Sequence, residues 1–592
     1  MNSPRGRHWR PLACFFALGL AAFVAASAND TAAQSRIDPE PATGRNARAP
    51  VKAKHFMAAA ANPHAVRAAV EILREGGGAL DAAIAAEMVL NLVEPQSSGI
   101  GGGSFLLYWD AARQKLFSYD GRETAPKAIN PRVFAKLAGS RRGFMRAVGS
   151  GASVGVPGLV RMLELAHKRH GKLPWARLFK PAIRLARRGF PISPRLHALL
   201  TYYPKLARDD AARELYFALD GQPKLPGRII ANTALARTLD AIARHGASVL
   251  YEGEIAKEIV AATRRGPGPP GAMTLADLRD YKALARAPVC GAYRGYKVCG
   301  MGPPSSGGTT VIQILELVER FDLRGPGPWS PRAWHLIGQA SALAFADRNR
   351  YLADTDFVRV PVKGLLDRGY LARRSATITG LVIKGRAKPG TPPGARAERF
   401  GDGMTPEFPS TSHLSIVDAD GNAVAMTSSI EHAFGSRRMV RGFLLNNELT
   451  DFSFRAHRGG RRVANRIEGG KRPRSSMAPT MVFGADGKLV LVIGSPGGSR
   501  IIGYVAQRVI AVLDWRMDVQ SAIAMGHALS RNHGLELERG TRAARMAKAL
   551  ERLGHRVRVG HMNSGLHGIQ ILPDGTLIGG ADPRREGIVA GE

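Results

Sequence analysis

"FPSTSHLSIVDADGNAVAMTSS", residues 408–429, decides how this chain is read. Two apolar-rich runs flank an Asp-Gly pair, which is a hairpin signal because glycine supplies the positive φ of a tight turn. The first run opens with Ser410, Thr411 and Ser412. A hydroxyl is a weak nucleophile until a base takes its proton. His413 is next in sequence, and strand alternation gives it a face shared with Thr411 and Ser415 but not Ser412. A cut between Ser410 and Thr411 supplies a different base. The freed α-amine of Thr411, with a pKa near ~8, can accept the proton of its own hydroxyl. The Pro-, Gly- and Arg-rich stretch 385–407 just upstream reads as an exposed linker in which such a cut is accessible.

Working outward, two more Asp-Gly hairpins follow in "MVFGADGKLVLVIG" and "GIQILPDGTLIGG". Helices are expected over residues 499–513, 519–525 and 542–553. Upstream, Asn62-Pro63 caps a helix that stops at the 76–78 glycines, and a second helix runs over 80–92 with Ala and Ile on one face. Residues 155–265 read as mostly helical, and helices are also expected over 274–281, 307–321 and 334–351. Antiparallel hairpins with long helices predict sheets covered by helices.

The chain has 592 residues and a formal charge of +36. Gly and Pro make up about 18% of it, above the usual ~12%, which indicates shaped loops. The basic excess is spread along the chain and aromatics are only 7%, so specific nucleic-acid binding is not indicated. No H-E-x-x-H, paired CxxC or GxxxxGK[ST] occurs, which removes the usual support for zinc hydrolysis and P-loop chemistry. Residues 1–28 read as an export signal: Arg5, Arg7 and Arg10, an apolar run, then "ASA",. Cleavage there implies a periplasmic or secreted protein with no retained transmembrane segment; the alternative is an uncleaved anchor. In "CGAYRGYKVC" a two-residue Arg294-Gly295 turn sets Cys290 opposite Cys299, within disulfide reach, in a compartment that permits oxidation. Two small buried thiols are the alternative.

A set of ordered motifs carries a resemblance. They are "EPQSSGIGGGSFLL" (94–107), "YDGRETAP" (119–126), "GPPSSGGTT" (302–310), "TSHLSIVDADGNAV", "FLLNNELTDFS" (443–453), "KRPRSSMAPT" (471–480), "GSPGGSRII" (494–502) and "GGADPRREG" (579–587). With them, from about residue 58 to 591, the chain resembles the γ-glutamyltransferase (γ-glutamyltranspeptidase) family of N-terminal-nucleophile hydrolases. The resemblance implies an α+β fold, a four-layer αββα sandwich made from two autoproteolytic chains. These are a large subunit, 29–410, and a small subunit, 411–592.

The implied cleavage site is Ser410-Thr411, with Thr411 as nucleophile and Ser429 as the second hydroxyl, where the family more usually has Thr. Arg122, Ser475 and Ser476 match the residues that hold a substrate α-carboxylate. Glu448 and Asp451 match the acidic pair for the α-ammonium. Gly497 and Gly498 match the oxyanion hole. Glu431 departs from the family's usual Asn and leaves substrate specificity open. A basic lid is expected over 455–471. The implied activity is γ-glutamyl transfer to water or to an acceptor amino acid or peptide, with glutathione as donor and no cofactor. A cephalosporin (glutaryl) acylase or poly-γ-glutamate amidase of the same fold is the alternative. An uncleaved, inactive surface-binding protein is a third reading.

Overall fold

The computed structural model describes residues 44–592 except 383–384, 396–399, 404 and 408–409. The expected signal segment 1–28 lies outside the described residues. Two seven-stranded antiparallel sheets form the centre. One runs Val51–Ala53, Leu577–Ala581, His567–Ile571, Leu489–Gly494, Thr480–Phe483, Tyr296–Gly300, Val289–Tyr293. The other runs Ile588–Gly591, Met57–Ala60, Ser412–Val417, Ala423–Ser429, Gly103–Asp110, Lys115–Asp120, Leu284–Arg286.

Strand alternation builds the layers. Met57, Ala59, Leu107, Trp109, Ala423 and Ala425 point toward the facing sheet and meet Cys299, Met481, Phe483, Val492 and Ile569. Their neighbours Ala58, Ala60, Leu106, Tyr108, Val424 and Met426 join the helical core on the opposite side. Helices Pro63–Arg74 and Ala79–Val93 cover that side, and Gly307–Val318, Ile501–Leu513 and Val519–Ala524 cover the other sheet. The result is the helix–sheet–sheet–helix order that the family resemblance implied. Each sheet contains strands from both sides of residue 410. A break there would leave two chains interleaved through one hydrogen-bonded core.

Local signals behave as their chemistry requires. The Asn62 side chain accepts from His64 N at 3.0 Å with Pro63 in the first turn, as a proline-led cap should. Arg294 and Gly295 both have positive φ, 54° and 83°, the turn that sets Cys290 against Cys299 in register. The two cysteines are disulfide-bonded.

Three readings need correction. The second helix, Ala79–Val93, has no exposed face: all of its residues are buried. It is held between the sheet and helices Leu159–His170 and Trp175–Arg188, which removes the need for a polar stripe. Stretch 542–553 is two short helices, Arg542–Arg545 and Ala547–Arg552. The upstream linker is not exposed throughout. Gly401, Gly403, Thr405 and Glu407 are buried, because Phe400–Gly401 pairs in parallel with the strand Arg461–Val463 and Arg348 neutralises Glu407.

Candidate active site

The register Ser412↔Ser428 carries the hairpin outward to Thr411 and Ser429. Thr411 Oγ1 lies 3.4 Å from Ser429 Oγ and donates to the carbonyl of Ser410. Ser429 Oγ donates to the same carbonyl at 3.2 Å and accepts from Glu431 N at 2.9 Å. Two hydroxyls therefore converge on the peptide oxygen that precedes Thr411. Arg585 Nη1 donates to Thr411 O at 3.1 Å, and Ser410 Oγ donates to Gln96 O at 2.6 Å. Both sides of the 410–411 bond are thus tied down.

The expectation of an accessible bond is overturned: Ser410 is 1% and Thr411 3% exposed. A protease could not reach this peptide, whereas an attack by the chain's own hydroxyl needs no access. His413 is occupied elsewhere. It contacts Thr427 Oγ1 at 2.8 Å and Ser415 Oγ at 3.1 Å, and burial, with His567 adding, holds its pKa well below the ordinary value.

A buried charge cluster stands beside the hydroxyls. Arg122 donates through Nη1 to Glu448 Oε1 and through Nη2 to Asp451 Oδ2 at 2.6 Å. Its Nε bonds Pro473 O at 3.1 Å, and Glu123 Oε2 lies 3.9 Å from Nη1. Three carboxyl groups thus surround one guanidinium. Burial pushes Asp451 up to about 8, Glu448 adding to the effect and Arg122 opposing it. Glu448 is raised by burial against the pull of Arg122. The expected carboxylate-binding arginine and the expected ammonium-binding acids are therefore brought together and pair with one another here.

On the adjoining wall, Arg348 Nη2 donates to Ser476 Oγ and to Glu407 Oε1, both at 2.6 Å. Ser476 Oγ in turn donates to Glu407 Oε2. Burial would raise the Glu407 pKa, but Arg348 and Arg474 outweigh it, and the group is lowered. Ser475 Oγ accepts from Met477 N at 3.1 Å. Glu431 has φ 74° and accepts from Asn447 Nδ2. Gly497 and Gly498 have φ 136° and 57°, and they lead through a short 3-10 turn into helix Ile501–Leu513. A Cβ on Gly497 would meet Tyr504 Cε2 at 2.7 Å.

Thr411, Ser429, Glu431, Glu448, Asp451, Ser475, Ser476 and Gly498 line one recess with Glu407, of about 260 Å³ including its open mouth. Arg122 and Gly497 are not among its lining residues; Arg122 meets the recess through its bonds to Glu448 and Asp451. The expected lid is a hairpin, His457–Arg458 with Arg461–Val463, whose tip is exposed. Its base holds the site: Asn465 Nδ2 donates to Asp451 O at 2.7 Å and Asn465 Oδ1 accepts from Arg474 N at 2.9 Å. Sequence reading missed Arg348, Glu407 and Arg585. Of these only Arg585 lies in a motif that had been singled out.

An αββα sandwich with a hydroxyl residue at the head of an inner strand defines the N-terminal-nucleophile hydrolases. Within that class the chain belongs to the γ-glutamyltranspeptidase family, whose model, Gamma-glutamyltranspeptidase, matches residues 65–592. It is 36% identical over 549 residues to the glutathione hydrolase proenzyme of Escherichia coli (strain K12), covering 90% of this chain and 91% of that protein. It is 33% identical over 549 residues to the acylase ACY 1 proenzyme of Pseudomonas sp. (strain SE83), covering 91% and 94%. The crystal structure of cephalosporin acylase from Bacillus halodurans superposes with a TM-score of 0.80 at 27% identity, covering 94% and 99%.

Among the described residues, no group of three or more His, Cys, Asp or Glu is placed to hold a metal ion. No helix among them is long and apolar enough to cross a membrane.

Proposed function

We propose that the chain is an exported γ-glutamyltransferase and glutathione hydrolase that matures by cutting itself between Ser410 and Thr411. The observation that carries this reading is the convergence of Thr411 Oγ1 and Ser429 Oγ on the Ser410 carbonyl, at the edge of a recess walled by buried acids. In maturation, Thr411 Oγ1 attacks the Ser410 carbonyl carbon. The C–N bond breaks, the nitrogen takes the hydroxyl proton, and an ester joins Ser410 to the Thr411 side chain. Water opens it, leaving a large chain 29–410, a small chain 411–592 and a free Thr411 amine.

In turnover that amine takes the hydroxyl proton while Oγ1 attacks the γ-amide carbon of the donor. The N–H groups at Gly497 and Gly498 receive the oxyanion, aided by the helix start behind them. The proton passes to the departing amine, cysteinylglycine when glutathione is the donor. Water or an acceptor amino acid or peptide then takes the glutamyl group. Glu448 and Asp451 bind the α-ammonium; Arg122, Ser475 and Ser476 bind the α-carboxylate.

The likeness to acylases motivates a glutaryl-side-chain reading, but a glutaryl group carries no ammonium for the acids to hold. Two assays test the proposal. Wild type should give two bands on a denaturing gel and hydrolyse γ-glutamyl-p-nitroanilide in preference to glutaryl-p-nitroanilide. Thr411→Ala should give one band and no turnover. Turnover by the alanine variant would overturn the mechanism, and preference for the glutaryl compound would overturn the substrate.

A further inference from the structure

The uncleaved chain already holds a carboxylate in its recess, and it is the chain's own. Glu407 lies four residues before the nucleophile and lines the cavity with Thr411, Ser475 and Ser476. Its two oxygens are held separately: Oε1 by Arg348 Nη2 at 2.6 Å and Oε2 by Ser476 Oγ. Arg348 is 2% exposed and reaches Ser476 Oγ with the same nitrogen at 2.6 Å. Its Nε is fixed on Ser306 Oγ at 2.8 Å. A pre-oriented guanidinium and a hydroxyl with a carboxylate seated on both make a built anion site.

The segment bearing Glu407 is fastened at further points. Phe400 and Gly401 pair with Arg462 and Val463, Arg350 holds Asp402 at 2.6 Å, and Gly403 N bonds Asn349 O at 2.8 Å. While the 410–411 bond is whole, Glu407 is also tethered to the nucleophile, three residues before the cut. Such a tether keeps its effective concentration at the site high; cleavage removes this tether and leaves the fastening at residues 400–403,.

We infer that Glu407 is an internal stand-in for the substrate's α-carboxylate, and that Arg348 is a second guanidinium which receives that carboxylate once Glu407 withdraws. The inference rests on the glutamyl reading above. It adds a residue to the donor site and makes the uncut chain a weaker binder of donor than the cut one.

The test is calorimetric titration with L-glutamate of four proteins: the mature wild type, the Thr411→Ala precursor, the precursor also carrying Glu407→Ala, and the latter with Arg348→Gln added. The mature enzyme should bind. The Thr411→Ala precursor should show at least tenfold weaker binding, and Glu407→Ala should restore affinity to within tenfold of the mature enzyme. Adding Arg348→Gln should lose tenfold or more again. Circular dichroism checks each fold. Should the alanine or glutamine variant unfold, Glu407→Gln and Arg348→Lys take their places with the same expected order. Equal binding by the Thr411→Ala precursor and the mature enzyme would overturn the inference, as would no gain on removing Glu407 or no loss on removing Arg348. A mature enzyme that ignores L-glutamate would instead overturn the glutamyl reading, and this inference with it.

Discussion

Glu87 provides a quantitative test of how the hydroxyl-bearing strands are supported. It sits on the fully buried helix Ala79–Val93, 1% exposed, and accepts from Ser428 Oγ at 2.8 Å. Ser428 pairs with Ser412, so this contact braces the strand ends that carry Ser429 and Thr411. Burial pushes the Glu87 pKa from 4.5 up to about 8, with the hydrogen bond from Ser428 opposing the rise. The folded chain therefore keeps a proton that the unfolded chain releases above about pH 4.5. Stability from this group is full below that pH, falls as pH rises, and levels off above about 8. Each unit is worth about 1.4 kcal/mol, so the window of 4.5 to about 8 amounts to about 5 kcal/mol at most.

Glu87→Gln keeps the shape and an acceptor for Ser428 and cannot ionise. Denaturant midpoints should be measured from pH 5 to 9 on the single-chain Thr411→Ala background, with and without Glu87→Gln. The two should nearly coincide at pH 5, and the glutamine chain should be the more stable by several kcal/mol at pH 8.5. A difference that does not grow with pH would refute the reasoning.

Arg122→Lys should spare maturation, since Arg122 does not touch the 410–411 bond, but lose the fork that meets Glu448 and Asp451. We expect KM for a γ-glutamyl substrate to rise by about 10- to 100-fold, the scale of ~1.5–3 kcal/mol for a charge-assisted bond. Normal KM would remove Arg122 from the donor site. Gly497→Ala places a Cβ against Tyr504 at a φ of 136° and should displace the adjoining donors. The expected loss in kcat is roughly 10²–10³-fold, read from steady-state rates; an unchanged kcat would move the oxyanion hole elsewhere.

Much of the frame was legible because short-range chemistry fixes it. The Asp-Gly pair at 420–421 sets a turn with Gly421 at φ 78°, and counting along the hairpin brings residues 411 and 429 together. The same counting pairs Cys290 with Cys299. Period fails for helix Ala79–Val93, where neighbours on every side erase the polar stripe. The burial of the 410–411 bond was hidden for a related reason. Its linker looks polar and breakable, yet Glu407 is drawn inward by Arg348 and Asp402 is held at the surface by Arg350.

Arg122, Glu448 and Asp451 could be picked out only through motif resemblance, because in a chain with 84 Lys and Arg one buried guanidinium looks like any solvated one. Arg348 and Arg585 had no such help for their roles. Their partners lie 59 and 174 residues away in sequence, and folding alone makes them neighbours.

The central claim is that Thr411 becomes the first residue of a working chain. Terminal sequencing of the smaller fragment from matured, active protein reads this directly. The expected sequence is Thr-Ser-His-Leu-Ser. A fragment beginning at any other residue, or full activity from protein whose 410–411 peptide bond is intact, would contradict the account.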